Sequence, residues 1–363
     1  MTREDLDALQ AYRGFPALSL RVPTHRTLPE TAQDRTRVKN ALRRAEQALH
    51  ADGVAAAVVQ DYTERLTRWH QVLDYRHLDR GLCIFVGAGL LEWYTVPHDV
   101  EETVVIDETF LTRDLVRVLT RQPQHDLLVL SEKVTRLFRG RGEDLVEDTS
   151  GPFPLSNDEA AAESPEGFSK GVDPMGHHNE RLKVFLRGVA QAVTARLGVS
   201  TRPLFLAGVD RLRAFYQDVD GTHHVAGHLE GNFDHASLHT LRETLQPAVD
   251  GWLQARRQQV LKRFDEAKGT RHGLVGLEEI GAAATSGRVD TLLVEDPYSV
   301  PGRFDRLTGT ITEHVRVNGA DAPGDVIDEI VETVLQKGGD VFFYRDGRLM
   351  EASAPPMGAI LRY

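Results

Sequence analysis

The stretch from Gly167 to Leu182 reads Gly-Phe-Ser-Lys-Gly-Val-Asp-Pro-Met-Gly-His-His-Asn-Glu-Arg-Leu and leads from a glycine-bearing segment into a helix. Apolar residues recur from there at i, i+3, i+4 and i+7 spacing: Leu182, Phe185, Leu186, Val189, Val193 and Leu197. This spacing predicts a helix with one apolar face. Asn179 stands where an N-cap belongs, so its side chain is predicted to accept a hydrogen bond from the first turn.

The residues ahead of this helix, 149–178, contain glycines, prolines and small side chains without apolar periodicity. Loops of this length inside a compact domain are usually functional or disordered. We interpret the segment as a flexible loop, held on a rigid helix, that delivers its tip into a partner's site. The loop is acidic, because one cation, Lys170, faces a larger set of carboxylates: Asp158, Glu159, Glu163, Glu166 and Asp173.

Composition limits the class of protein. The chain has 363 residues, of which 41% are hydrophobic and 27% charged, which is typical of a globular protein with two or three domains. No run of 18 apolar residues occurs and the start is charged, so we expect neither a membrane span nor a signal peptide, and a cytoplasmic location. A net charge of -11 argues against general nucleic-acid affinity. The one cysteine, Cys83, lies in an apolar run and is predicted to be buried.

The order of elements predicts a mixed α/β fold in three domains, namely 1–122, 123–247 and 248–363. Predicted strands are 16–22, 81–86, 91–96, 103–106, 125–130, 134–138, 144–147, 203–209, 289–295 and 341–344. Between them lie predicted helices, and helix and strand alternate in the third domain as in a three-layer α/β/α sandwich.

Several motifs resemble a known family. Gly276-Leu-Glu-Glu-Ile280, Gly287-Arg-Val-Asp-Thr-Leu-Leu-Val294 and the final Gly358-Ala-Ile-Leu-Arg-Tyr363 are similar to the third domain of archaeal and eukaryotic class-one peptide release factors and of pelota. Pro16-Ala-Leu-Ser-Leu-Arg-Val-Pro-Thr-His-Arg26 resembles the opening of bacterial archaeo-eukaryotic release factor family 3. The resemblance spans essentially the whole chain. It implies an RNase H-like middle domain and a third domain of the type found in ribosomal proteins that bind kink-turn RNA.

The resemblance also implies where a site would lie, and the chain departs from the family there. The family's Gly-Gly-Gln loop would fall at 167–197, but no Gly-Gly-Gln occurs. Counting back from Leu182 puts Asn179 near the glutamine position, whereas counting forward from Gly176 puts His177 there. The candidate catalytic residues are therefore His177, His178 and Asn179, with Gly171 and Gly176 at the loop tip. The Asn-Ile-Lys-Ser element near the stop codon is also absent, so codon reading is not expected.

Histidines are the other candidates for chemistry. His223, His224, His228, His235 and His239 form a group, and His235 and His239 would share one face of a helix, as zinc ligands can. No Glu falls between them in the His-Glu-x-x-His pattern, so surface and capping roles are favoured and no metal is predicted. Phosphate-binding and serine-nucleophile motifs do not occur, and no cofactor is expected.

Two functions remain. The favoured one is a ribosome-associated factor of the release-factor superfamily, acting in rescue, hibernation or quality control, without codon reading and without efficient peptidyl-tRNA hydrolysis. Its partners would be ribosomal RNA and tRNA, and no membrane or small-molecule substrate is implied. The alternative is a stand-alone hydrolase or metal-binding protein that kept the fold and lost the ribosome. Candidate rRNA contacts are Arg35, Arg37, Lys39, Arg43, Arg44, Arg256, Arg257, Lys262 and Arg263.

Overall fold

The computed structural model describes residues 1–142, 144–157, 174–198, 202–219, 225–313, 324–345 and 356–363. The chain forms two compact units. Unit 1 combines Met1–Arg121 with Val260–Tyr363, and unit 2 is Gln122–Gln259. Unit 1 contains most of the first and of the third predicted domain, and unit 2 contains the second. The division into three domains stays a prediction.

The N-terminal part of unit 1 is an antiparallel sheet in the order β3-β2-β1-β4 with helices against it. Its strands are β1 Ala17–Pro23, β2 Gly81–Gly87, β3 Leu90–Val96 and β4 Thr103–Asp107, and its helices are α1 Arg3–Ala11, α2 Thr31–Ala51, α3 Ala56–Val72, a 3-10 turn Tyr75–His77 and α4 Arg113–Arg121. Alternate residues of β2 enter different cores. Leu82 and Ile84 pack with α2 and α3, whereas Cys83 and Phe85 join the second core of the unit. Cys83 is buried, as predicted.

The C-terminal part of unit 1 is a mixed sheet in the order β11-β16-β12-β15, in which β12 is parallel to β15 and antiparallel to β16. Its strands, with a separate β13–β14 hairpin, are β11 Gly273–Leu274, β12 Val289–Glu295, β13 Gly302–Phe304, β14 Ile311–Glu313, β15 Asp340–Tyr344 and β16 Met357–Leu361. The helices are the end of α7 Leu238–Lys268, α8 Leu277–Thr285 and α9 Val326–Gln336. The predicted strand 289–295 is confirmed as β12 because its apolar run is buried almost throughout.

Helix α4 joins the two parts of unit 1 through buried charges. Arg117 bonds to Asp114 (Nη1–Oδ1, 2.8 Å) and to Asp296, while Arg113 Nη1 lies 2.7 Å from Asp325 Oδ2. Burial alone would raise the pKa of Asp114, but the hydrogen bond with His98 and nearby guanidinium groups hold it well below its usual value. The carboxylate is therefore charged across the physiological range and depends on its partners.

Unit 2 is a sheet in the order β10-β9-β5-β6-β7, with β8 pairing to the start of β6. Strands β5, β9 and β10 are parallel to one another, and β6 and β7 are antiparallel. The strands are β5 Gln124–Val129, β6 Val134–Arg141, β7 Asp144–Glu147, β8 Leu155–Ser156, β9 Leu204–Gly208 and β10 Val225–Glu230, and the helices are α5 Pro174–Leu197, α6 Asp210–Val219 and the first part of α7.

Both faces of the unit 2 sheet are covered, which explains the apolar strands β5 and β9. Leu128 and Leu130 pack with α5 and α6, whereas Leu127 and Val129 pack with α7. Strands with helices on both faces give a mixed α/β fold, as predicted. The RNase H-like and kink-turn-binding assignments stay predictions.

Two local predictions were wrong. Helix α5 begins at Pro174, so Asn179 lies inside the helix and is not its N-cap. The helix start follows the proline, which fits the first helical position because its missing N–H has no partner there. His235 lies in a turn before α7 and does not share a helix face with His239. The boundary at 247/248, which stays a prediction, lies within the range of α7, and the compact units divide at 259/260.

None of the described helices combines the length and the apolar composition that crossing a membrane requires.

Replacing two glycines by alanine should change the free energy of unfolding in opposite directions. A Cβ at Gly358 in β16 would lie 2.2 Å from the ring of Phe264, which is buried, so Gly358→Ala should lower the free energy of unfolding by about 1–3 kcal/mol. A Cβ at Gly188 in α5 would contact nothing within 4 Å, and Gly188→Ala should raise it by about 0.5–1 kcal/mol because alanine favours the helix. Urea unfolding of both variants measures the two signs, and equal effects would contradict the packing described here.

The stability of unit 1 should depend on pH through Glu332. Burial raises the pKa of Glu332 to about 7 against the opposing charge of Arg306, and burial also raises the pKa of Asp328, one turn earlier in α9. A carboxyl whose pKa is higher in the folded state stabilises fully below its unfolded pKa, and this stability is lost as the pH rises through the folded value.

We therefore expect the free energy of unfolding to fall between about pH 4.5 and pH 7, and Glu332→Gln to flatten part of this slope. Asp328 and Glu329, whose pKa values burial also raises, contribute to the remaining slope. Urea unfolding at closely spaced pH values measures the slope. The control is Glu266→Gln, a change at an exposed ion pair with Lys262, which should leave the slope unchanged. An identical slope in Glu332→Gln and the wild type would contradict the assignment.

Candidate functional site

The candidate site lies in unit 2, at the edge of the sheet where the parallel strands β5 and β9 end. The turn after β5 carries Ser131, Glu132 and Lys133, and Arg211 stands in the first turn of α6, directly after β9. In open α/β sheets, ligands bind outside the carboxyl ends of parallel strands. The first described residues of α5 reach the same edge.

Glu132 is the residue that connects these elements. Its Oε2 lies 3.5 Å from His178 Nε2, and its Oε1 pairs with Arg211. The three side chains remain partly open to solvent, at 42% for Glu132, 35% for His178 and 38% for Arg211. The distance between His178 and Glu132 is that of an ion pair, which requires a protonated imidazole, and is longer than a typical hydrogen bond.

The turn that carries Glu132 is held by its own hydrogen bonds. Ser131 Oγ accepts from the backbone N–H of Lys133 at 3.1 Å. Asn157, at the end of β8, donates its side-chain amide to the Glu132 carbonyl at 2.9 Å and its backbone N–H to the Lys133 carbonyl at 2.7 Å. Asn157 and His178, which precede and follow residues 158–173 in the chain, therefore both lie at Glu132.

Asn179 follows His178 in the second turn of α5. Its Oδ1 is buried and has no hydrogen-bond partner in the described part of the chain. A buried amide oxygen without a partner costs free energy, which a cap would not. Asn179 lies inside α5 and does not cap its start.

The remaining predicted site residues are placed as follows. Gly176 and His177 lie in α5, but their side chains fall outside the described residues, and Gly171 lies outside them altogether. The same is true of the acidic loop residues Asp158, Glu159, Glu163, Glu166 and Asp173.

The predicted histidine group is dispersed where it is described. His228 is in β10, His235 is in a turn, and His239 on α7 lies 3.4 Å from Glu243. Burial, together with the charge of Arg213, lowers the pKa of His228. His223 and His224 lie outside the described residues. Within the described ranges, no three His, Cys, Asp or Glu side chains come together in a way that suits a metal ion.

The basic candidates on α2 fall into two sets. Arg37 bonds to Asp34 at 3.1 Å and to the Pro23 carbonyl, and Arg44 pairs with Glu102. Arg35, Lys39 and Arg43 are exposed and form no ion pair with a described carboxylate.

The basic candidates on α7 each interact with a residue of the unit in which they lie. Arg256 lies over the ring of Trp252, with 5.4 Å between the guanidinium carbon and the ring centroid. Arg263 pairs with Asp290 at 2.9 Å, and Lys262 lies 3.9 Å from Glu266. Arg257 also has an interaction partner.

Sequence reasoning identified His178 and Asn179 but missed Glu132, Arg211 and Asn157. A signal was present for two of them, because Glu132 and Arg211 each follow an apolar strand by a few residues. Only the parallel pairing of β5 with β9 brings those two positions together.

Comparison with solved structures finds distant likenesses to translation factors. The archaeal translation termination factor aRF1 is 17% identical, with 100% of this chain and 99% of that chain covered and a TM-score of 0.24. Dom34 of S. cerevisiae, a translation termination-like factor involved in RNA quality control, is 12% identical over 78% and 79% of the two chains, with a TM-score of 0.40. Archaeoglobus fulgidus Pelota is 12% identical over 100% and 92%, with a TM-score of 0.29.

Likenesses this distant do not assign a function, and no curated protein matches the chain. A family model is more specific, since it matches the residues that build the unit 2 sheet, the Glu132 turn and helix α5. Residues 125–288 match bacterial archaeo-eukaryotic release factor family 3, which confirms the resemblance predicted from the sequence.

Proposed function

We propose that the protein is a ribosome-associated translation factor of the release-factor superfamily that acts in rescue, hibernation or quality control. The observation that carries the proposal is the family match over residues 125–288. That range includes the whole candidate site, from the β5 edge through α5 to α6. The chain has no Asn-Ile-Lys-Ser element, so the factor does not read codons.

In this proposal, the Glu132 edge is the base from which segment 158–173 acts. Asn157 fixes one end of the segment through two hydrogen bonds, and His178 holds the other end near the same carboxylate. Helix α5 is anchored through the buried side chains of Leu182, Leu186 and Val189. A segment supported on a packed helix keeps its attachment points fixed while its tip meets a partner.

We also propose that the factor does not hydrolyse peptidyl-tRNA efficiently. A group that acts on the ester must come within about 3 Å of it. His178 and Asn179 lie in the second turn of a helix against the sheet edge, where Glu132 restrains the imidazole. The segment ahead of them is acidic in sequence, and carboxylates are repelled by the phosphates of an RNA-walled site.

The alternative function, a stand-alone hydrolase, is favoured by one contact. His178 lies 3.5 Å from the carboxylate of Glu132, and histidines beside a carboxylate serve as general bases in many hydrolases. An assay without ribosomes separates this function from the proposed one.

The first test is ribosome binding. Purified full-length protein is expected to co-sediment with ribosomes through a sucrose gradient at low salt. Because the net charge is -11, the contacts must come from local basic surfaces, and binding should weaken steeply as salt increases. Absence of the protein from ribosomal fractions in every growth phase and at low salt would refute the association.

The second test is peptide release. Ribosome complexes that carry labelled peptidyl-tRNA should lose peptide no faster with the wild type than without protein, and His177→Ala, His178→Ala and Asn179→Ala should not differ from it. Rapid release that one of these substitutions abolishes would make that residue catalytic. Hydrolysis of free peptidyl-tRNA without ribosomes, lost in Glu132→Gln, would instead support the alternative.

A further inference from the structure

We infer that one face of α2 binds the phosphate backbone of RNA. This face, the α2 stripe, consists of Arg35, Lys39 and Arg43. The inference deepens the proposed function, on which it rests for its biological setting, by naming a surface and the chemistry of its partner. It concerns unit 1 and is independent of the site at Glu132.

The geometry of the stripe follows from the helix. Positions i, i+4 and i+8 lie on the same side of an α-helix, about 6 Å apart along the axis. All three side chains are exposed, and none pairs with a carboxylate in the described part of the chain. The neighbouring cations Arg37 and Arg44, on other sides of α2, are bonded to Asp34 and Glu102.

Two of the cations lie beside an aromatic pair from the neighbouring segments. The guanidinium carbon of Arg35 is 5.9 Å from the ring centroid of Tyr75, whose hydroxyl bonds to His70 Nδ1. Burial and the charges of Arg35 and Lys39 lower the pKa of His70, so the imidazole stays neutral near pH 7. The positive potential of the stripe therefore reaches the end of α3.

Nearby acidic groups are bonded elsewhere. Asp34 is buried and accepts from His25 and Arg37, while Asp74 pairs with Arg76 and His77. Glu46, one turn beyond Arg43, marks the end of the stripe. The three cations consequently face solvent without an ion pair to a described carboxylate, and Glu46 is the acidic residue that follows them on α2.

Binding of a polyanion explains the arrangement better than a contribution to the stability of the fold does. Like charges at i and i+4 destabilise a helix, so the stripe does not stabilise α2. A row of cations beside aromatic rings matches nucleic acid, where charges repeat along the backbone and arginine stacks on planar groups. Among polyanions, we commit to RNA because the partly exposed rings of Tyr75 and His70 lie beside the stripe, where bases of a single strand can stack and lipid headgroups cannot.

The experiment measures binding of full-length protein to a fluorescein-labelled single-stranded RNA of mixed sequence by fluorescence anisotropy, from about 50 to about 200 mM salt. The triple variant Arg35→Ala, Lys39→Ala, Arg43→Ala is compared with a control triple, Arg3→Ala, Arg80→Ala, Arg303→Ala. The control removes the same charge from exposed arginines of unit 1 that pair with Asp7, Asp99 and Asp107. Circular dichroism confirms that both variants fold.

We expect the stripe triple to bind RNA at least about tenfold more weakly at low salt, and the slope of log K against log salt to fall by about 2, which is three phosphate contacts at about 0.7 each. The control triple should stay close to the wild type. Equal weakening in both triples, no RNA binding by the wild type, or stripe-dependent binding to anionic vesicles or an acidic protein but not to RNA would each overturn the inference.

Ribosome sedimentation separates this inference from the proposed function. Wild type and stripe triple that co-sediment equally with ribosomes would overturn the stripe and leave the proposed function intact. Stripe-dependent RNA binding by a protein that never co-sediments with ribosomes would support the stripe and overturn the ribosomal role.

Discussion

Pairing of buried charges on α4 is the constraint on which unit 1 depends. Asp296 directly follows β12 and accepts from Arg117, Arg121 and Arg345. A charge removed from water is costly unless an opposite charge meets it, and loss of one partner from such a pair typically costs about 3–5 kcal/mol. The first and last parts of the chain, far apart in sequence, meet at α4 through these pairs as well as through a shared apolar core.

In unit 2, apolar side chains on both faces of the strands form the core, and polar side chains lie together at one edge of the sheet. Strand β5 is buried on both faces, so its side chains have no freedom to act on a ligand. Function is left to the turn after the strand, where Glu132 reaches solvent and meets His178 and Arg211. The match to release factor family 3, over residues 125–288, covers nearly all of this unit and continues into unit 1.

The sequence was sufficient for elements whose signals are local. The apolar runs of β12 and β5 and the 3.6-residue period of α5 identified these elements correctly, within a residue or two at the ends of the strands. The start of α5 was missed because Pro174 and Asn179 both resemble start signals, and the proline decided it. Glu132 and Arg211 were missed because strand order, which no local pattern encodes, brings them together. The α4 network was invisible for the same reason, since each of its partners looks like an ordinary surface charge.

The two anchors at Glu132 have an evolutionary consequence. Asn157 and His178, on either side of residues 158–173, both lie against Glu132, so the described positions that flank this segment are close together. The entropy of closing a loop grows only with the logarithm of its length, at roughly 0.6 kcal/mol for each doubling. Insertions and deletions between the anchors are therefore tolerated far better than in the strands on either side. Relatives can vary in this segment while the sheet and α5 stay the same. A foreign peptide grafted between Asn157 and Pro174 would be displayed without a change in the strands and helix that support it.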